Sequence, residues 1–158
     1  MVGTQPLSQR HNLETFESGS EALDLWLKNK AGIAELTGTA RTFVLLNDSE
    51  LVGFYSLAAG VVLRSSLPKP LRSGMPNFPL PVTLLARLAV PKNYQGQGIG
   101  RALVSDAFQR SLVAREQIGS LGMMVEASSL DVIAFYESIG FIRSVNFNRL
   151  LLMPFSAS

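Results

Sequence analysis

The chain has 158 residues, 47% hydrophobic and 16% charged, with one histidine, no cysteine and a formal net charge of +2. That length predicts a single domain over residues 1–158, able to bury about two thirds of its unfolded surface without a disulfide or structural metal. With no Cys and only His11, the composition excludes a thiolate nucleophile, a Cys/His zinc site and any histidine triad that lacks His11.

The polar first twenty residues carry Arg10, His11, Glu14 and Glu17 and no apolar signal core, which predicts a cytoplasmic protein. No apolar run reaches the roughly 18 residues of a spanning helix, so no membrane association is expected. A mean hydropathy of +0.23 and a low charged fraction leave more apolar surface than a solitary monomer carries, and a homodimer or a protein partner is expected.

In chain order, Ser18-Gly19-Ser20-Glu21 has capping-box spacing, and Leu23, Trp26, Leu27, Lys30, Ile33 and Ala34 continue it as one helical stripe. Residues 41–46 and 50–63 read as antiparallel strands joined by the turn Asn47-Asp48-Ser49. Between Arg64 and Pro81 lie five of the eight prolines, which predicts an ordered, irregular loop outside the sheet. Residues 82–90 then form a strand, 98–116 a helix, 121–127 a buried strand and 130–138 a short helix, with 141–143 and 149–153 as closing strands. The alternation predicts a mixed α/β sheet around a parallel βαβ crossover.

Charge is unevenly spread. Residues 1–50 hold seven acids against four bases, whereas residues 51–105 hold no acid and six cations: Arg64, Lys69, Arg72, Arg87, Lys92 and Arg101. A polyanion is expected to meet this middle segment, although solvated loop cations would leave the same trace.

The strand ending at Val90 runs into Gln95-Gly96-Gln97-Gly98-Ile99-Gly100-Arg101. Glycines between a strand and a helix N-terminus let backbone N–H groups converge on an anion such as a pyrophosphate. No Lys-Ser/Thr pair follows, so this is not a Walker loop, and the spacing of dinucleotide folds is absent. Taken alone, the turn could equally be a tight strand-to-helix connection.

Two segments carry a resemblance. Gln95-x-x-Gly98-x-Gly100 resembles the acetyl-CoA signature of the GNAT family of N-acetyltransferases, and Ala134-Phe135-Tyr136-Glu137-Ser138-Ile139-Gly140-Phe141 resembles its second signature. Gly100 and Tyr136 stand 36 residues apart, as that family's central unit requires. Phe16-x-Ser18-Gly19, Leu23-Asp24-x-Trp26-Leu27, the proline-rich basic loop and residues 85–90 are similar to the acetyltransferase toxins of bacterial toxin–antitoxin modules.

The resemblance implies a GNAT fold: a mixed, mostly antiparallel sheet with a central parallel βαβ acetyl-CoA-binding unit flanked by helices. It implies acetyl-CoA as co-substrate and no metal. Main-chain groups at Leu88 and Val90 would hold the pantetheine arm where the strand parts from the one starting near Leu121, and an N–H near Ala89 or Val90 would stabilise the oxyanion. The N–H groups of Gln95, Gly96, Gln97, Gly98, Ile99, Gly100 and Arg101 would take the pyrophosphate, with Arg101 adding charge. Ser129 stands where many relatives carry a cofactor-contacting Asn, and Tyr136 matches the family's general acid, which protonates the departing thiolate.

For the toxins, the resemblance implies aminoacyl-tRNA as substrate and an antitoxin as partner. A free α-amino group titrates near 7.7 to 8.0 and an adjacent ester lowers it, so such a substrate hardly needs a base, although Glu126 could act through water. Arg64, Lys69, Arg72, Arg87 and Lys92 are the candidate RNA contacts, with Arg87 alternatively a strand residue paired to a carboxylate. Trp26 is expected to pack the first helix on the sheet or to wall the acceptor cleft. His11 reads as structural. Two other functions remain open: a small-molecule or protein N-acetyltransferase of the same fold, and a non-catalytic acyl-CoA-binding regulatory module.

Overall fold

The computed structural model of the protein describes residues 3–145 and 149–155. Its elements are β1 (Gln5–Pro6), α1 (Glu21–Asn29), α2 (Ala31–Thr37), β2 (Arg41–Asn47), β3 (Glu50–Val62), α3 (Lys69–Arg72), β4 (Leu80–Ala89), α4 (Ile99–Ala114), β5 (Gly122–Glu126), α5 (Leu130–Ile139), β6 (Ile142–Arg143) and β7 (Leu150–Pro154). They divide into two compact units, Met1–Ala58 with Leu85–Gln109 and Ala59–Leu84 with Arg110–Ser158, and β3, β4 and α4 each run through both.

In the first unit the strands stand in the order β1-β2-β3-β4. β1 pairs antiparallel with β2 at Gln5↔Val44, and β2 pairs antiparallel with β3 from Arg41↔Leu57 to Asn47↔Glu50. Val44, Phe54 and Ala89 meet Phe16, Leu27 and Ala31 in one core, with Trp26 packed against it. Successive strand residues face opposite sides of a sheet, so Gly53 lies on the other face from Phe54. A Cβ there would stand 2.8 Å from Leu103 Cδ1, so a larger residue would make the Leu103 side chain shift.

In the second unit the order is β3-β4-β5-β7-β6. β4 and β5 are parallel at Thr83↔Met123 and Leu84↔Met124, whereas β5 pairs antiparallel with β7 from Gly122↔Pro154 to Glu126↔Leu150. Parallel β4 and β5 are joined through α4, the expected βαβ crossover in a mixed, otherwise antiparallel sheet. Val62, Leu67, Leu80, Val82, Met124 and Leu152 form this unit's core.

Four local expectations are corrected. The cap of α1 is Ser20, whose hydroxyl accepts from Leu23 N at 3.3 Å, and not Ser18, whose hydroxyl instead donates to Asp24 Oδ1 at 2.7 Å. The stripe from Leu23 to Ala34 is two helices, because the backbone breaks at Lys30 (φ −119°), and Ile33 is turned out to 56% exposure. The proline-rich loop contains the single-turn helix α3, with Pro70 in its first turn, where a missing N–H costs nothing. Finally, β4 begins at Leu80 and includes Pro81, whose carbonyl accepts from Leu121 N at 2.9 Å although its nitrogen cannot donate.

Candidate active site

β4 ends at Ala89 and α4 begins at Ile99, and the segment between them is fixed from below by side chains. The Gln95 side-chain amide donates to Val90 O at 2.8 Å and to Ser18 O at 2.7 Å. Lys92 N donates to Glu17 O at 2.8 Å, its ammonium pairs with Glu17 Oε1 at 3.2 Å, and the Tyr94 hydroxyl donates to Glu50 Oε1 at 2.7 Å. The Gln95 side chain thus serves the turn, which leaves its main chain as the part that can meet a ligand.

Gly96 and Gly98 have φ of +80° and +85°, and no atom lies within 4 Å of a Cβ built on either. Their need for glycine is therefore conformational, since L-residues avoid this region. Gln95, Gly96, Gln97 and Gly98 are all exposed, and Gln97 and Gly98 border a cavity of about 380 Å³ whose other walls are Gly3, Thr4, Leu45, Ile99, Ala102, Leu103 and Asp106. The first intrahelical donor of α4 is Ala102 N, to Gly98 O at 3.1 Å, so the amides of Ile99 and Gly100 have no carbonyl one turn back. A left-handed pair of glycines opening onto first-turn amides is an anion cradle, and it fits a pyrophosphate. Leu88 is half-buried on β4, Ala89 and Val90 are buried at its end, and Arg101 is exposed on α4.

Tyr136 lies in α5, 4% exposed, with its ring edge-on to Phe135 at 5.0 Å and to Phe141 at 5.1 Å. Burial pushes its phenol well above the ordinary tyrosine value, so it stays protonated. Among the described residues its hydroxyl has no hydrogen-bond partner, which leaves the O–H to a ligand. Ser129 caps α5, accepting from Val132 N at 3.3 Å, so its oxygen has a structural task and its proton remains available. Glu126 is exposed on β5.

The candidate RNA contacts differ in their present engagements. Arg64 Nε donates to Met75 O at 2.9 Å, and Arg72 holds Leu67 O with two donors, so both arginines also fold the proline-rich loop. Lys69 is exposed on α3 and Lys92 is paired with Glu17. Arg87 meets no carboxylate among the described residues; its guanidinium carbon lies 4.2 Å from the Trp26 ring centroid, and Trp26 stacks on Phe54 at 6.3 Å. This arrangement escaped the sequence reading, although β4 alternation puts Arg87 on the face of Leu85 and Ala89, toward the helix that carries Trp26. His11 is held by Ser8 and Gln5, and partial burial lowers its pKa.

The fold, with its glycine-rich turn between β4 and α4, is that of an acyl-CoA-dependent transferase of the GNAT class. The profile of the Acetyltransferase (GNAT) domain matches residues 38–143, and the chain belongs to that family. It is 38% identical over 135 residues to the tRNA-acetylating toxin of Mycobacterium tuberculosis (strain ATCC 25618 / H37Rv), a match covering 85% of this chain and 81% of that protein. Among solved structures it is similar to AtaT complexed with acetyl-methionyl-tRNAfMet, with a TM-score of 0.90, 29% identity and coverage of 96% of this chain and 94% of that one. It also resembles AtaTR bound with AcCoA (TM-score 0.80, 29% identity, 96% and 92% covered). A Tyr→Phe mutant of AtaT bound to the C-terminus of the antitoxin AtaR is similar too (TM-score 0.82, 26% identity, 96% and 92% covered).

Proposed function

We propose that this chain is the toxin of a toxin–antitoxin pair, and that it moves acetyl from acetyl-CoA to the α-amino group of an aminoacyl-tRNA and so blocks translation. The observation that carries this reading is its 38% identity, over 85% of its length, to a tRNA-acetylating toxin. In the same reading residues 1–158 act as one catalytic domain in the cytoplasm, where charged tRNA is found. A homodimer would cover some of the exposed apolar side chains, among them Leu36 (86%) and Leu130 (74%), and an antitoxin is the second partner.

Acetyl-CoA, when bound, supplies an acyl group activated as a thioester. The amides from Gln95 to Arg101 bind its pyrophosphate, and the main chain at Leu88 and Val90 lines its pantetheine arm. An amide at Ala89 or Val90 stabilises the negative charge that develops on the carbonyl oxygen as the amine attacks. Tyr136 then gives its phenolic proton to the departing thiolate, and the proton released by the acylated amine restores the phenol. An aminoacyl ester has an amine already largely neutral near pH 7.5, so the absence of acids from residues 51–105 is no obstacle to it.

The reading is tested in a translation extract supplied with a reporter message and purified protein. Arrest that requires acetyl-CoA and is relieved by adding fresh charged tRNA is the expected result. Unimpaired translation at a several-fold excess of protein over tRNA would overturn it.

A further inference from the structure

Arg87 is the only one of the five candidate RNA contacts that sits inside a strand, where its neighbours Leu85 and Ala89 on the same face are buried. Arg87 is half-buried, and its guanidinium carbon lies 4.2 Å from the Trp26 ring centroid. Trp26 is itself held parallel to Phe54 (interplanar angle 9°), and the Phe54 side chain is fully buried and edge-on to Phe16 at 5.4 Å. Three residues from three separate segments thus fix the position of one cation.

That cation has no anion. Among the described residues no hydrogen bond or ion pair engages Arg87, whereas Arg64 and Arg72 are spent on carbonyls and Lys92 on Glu17. Asp24, the buried acid of α1, is occupied by the Ser18 amide and hydroxyl. Partial desolvation already disfavours the charge of Arg87. A guanidinium held over an indole, with its planar fork of donors unspent, is preorganised for a bidentate oxyanion, and lysine cannot replace it in that role.

Position along β4 says which anion. Arg87 precedes Val90 by three residues, which in an extended strand is about 10 Å. Val90 closes the stretch of main chain assigned above to the acetyl-bearing arm, and a span of about 10 Å is what one ester and one ribose cover between a reacting aminoacyl group and the nearest phosphodiester. We propose that Arg87, positioned by Trp26, clamps the 3′-terminal phosphodiester of the acceptor RNA, and thereby selects a nucleotide-borne amine over a free one. This inference rests on the proposed RNA substrate.

The test uses Arg87→Ala, Arg87→Lys, Trp26→Leu and Trp26→Phe in the full chain, with two acceptors: charged tRNA, and an aminoacyl-adenosine that carries no phosphate. For Arg87→Ala we expect the KM for charged tRNA to rise at least tenfold, the KM for acetyl-CoA to stay unchanged, and transfer to the phosphate-free acceptor to equal wild type. Arg87→Lys should not restore binding. Trp26→Leu should raise the same KM with its salt dependence intact, and Trp26→Phe should rescue it. Equal losses on both acceptors, a shifted KM for acetyl-CoA, or an unchanged KM for charged tRNA would overturn the assignment. Binding of a short uncharged RNA ending in the acceptor sequence, measured by fluorescence anisotropy, separates this inference from the reaction itself. If wild type transfers nothing to charged tRNA but Arg87→Ala still loses this binding at least tenfold, the phosphate clamp stands and the substrate reading falls; equal binding sinks the clamp.

Discussion

Gln95 donates through its side-chain amide to the carbonyl oxygen of Val90, five residues back, at 2.8 Å, and shares the same nitrogen with Ser18 O at 2.7 Å. One residue therefore ties the end of β4, the glycine turn and the approach to α1 together. Gln95→Ala should lower stability by about 1 kcal/mol for the lost bonds and raise the KM for acetyl-CoA with little change in kcat. Gln95→Glu should be worse than alanine, because a carboxylate would face two carbonyls and a pyrophosphate. Steady-state kinetics with thermal melts of both variants check this, and a glutamate that matched wild type would refute the brace.

Gly96 and Gly98 both have φ near +80°, with open space around them. Gly98→Ala should therefore cost about 1 to 2 kcal/mol of strain without any steric clash. The turn can relieve that strain by changing shape, so acetyl-CoA affinity should fall more than Tm does. Isothermal titration beside calorimetry reads both, and unchanged affinity would count against the anion cradle.

Tyr136 is buried against Phe135 and Phe141, and its phenol is raised above the ordinary value near 10. A raised folded-state value means that the native state holds the proton more tightly than the unfolded chain. Stability is therefore intact below about pH 10 and lost as pH rises toward the folded value. In melts from pH 8 to 11, Tyr136→Phe should lose less Tm than wild type above pH 10 and match it below. The rate of wild-type transfer should rise through an amine titration below the roughly 7.7 to 8.0 of a free α-amino group, with no descending limb before pH 10.

Arg143 and Glu137 form a bidentate pair, Nε to Oε2 at 2.8 Å and Nη2 to Oε1 at 2.9 Å, on the surface beside Tyr136. The hydrogen bond from Arg143 lowers the Glu137 pKa, so whatever the pair contributes is present above the unfolded value and lost as pH falls through the folded one. Glu137→Gln and wild type should therefore converge in Tm as pH falls below the ordinary carboxylate range, and also at high salt at neutral pH, because the pair is exposed. A Tm gap that persisted in both conditions would refute this.

Among the loop cations, Lys69 and Arg72 should separate. Lys69 is exposed and should report only on RNA: Lys69→Ala reduces the salt slope of tRNA binding by about 1 and leaves Tm unchanged. Arg72 also holds Leu67 O with two donors, so Arg72→Ala should lower Tm as well. The slope from binding isotherms at several salt concentrations, set beside melts, distinguishes the two.

Much of this was legible because periodicity is strong where burial is strong. The parallel crossover, the glycine turn and the helix of Tyr136 all fell within a residue or two of their places. The misses share a physical cause, which is competition between equally good local signals. Ser18 and Ser20 both offer a hydroxyl to a helix start; Gly19 at φ +97° turns the chain between them, and Asp24 captures Ser18, leaving Ser20 as cap. Nothing at Lys30 announces a break, because both helices keep the same apolar spacing. The contact of Arg87 with Trp26 joins residues 61 positions apart, and only the packing of α1 on the sheet brings them together.

The most direct test of the account is to incubate the protein with acetyl-CoA and a pool of charged tRNAs, digest the RNA, and search by mass spectrometry for N-acetylated aminoacyl-adenosine, with Tyr136→Phe alongside. The account predicts acetylated product with the intact protein and at least a hundredfold less with the variant at equal acetyl-CoA binding. Acetyl-CoA binding with no acetylated aminoacyl-adenosine from the intact protein would contradict it.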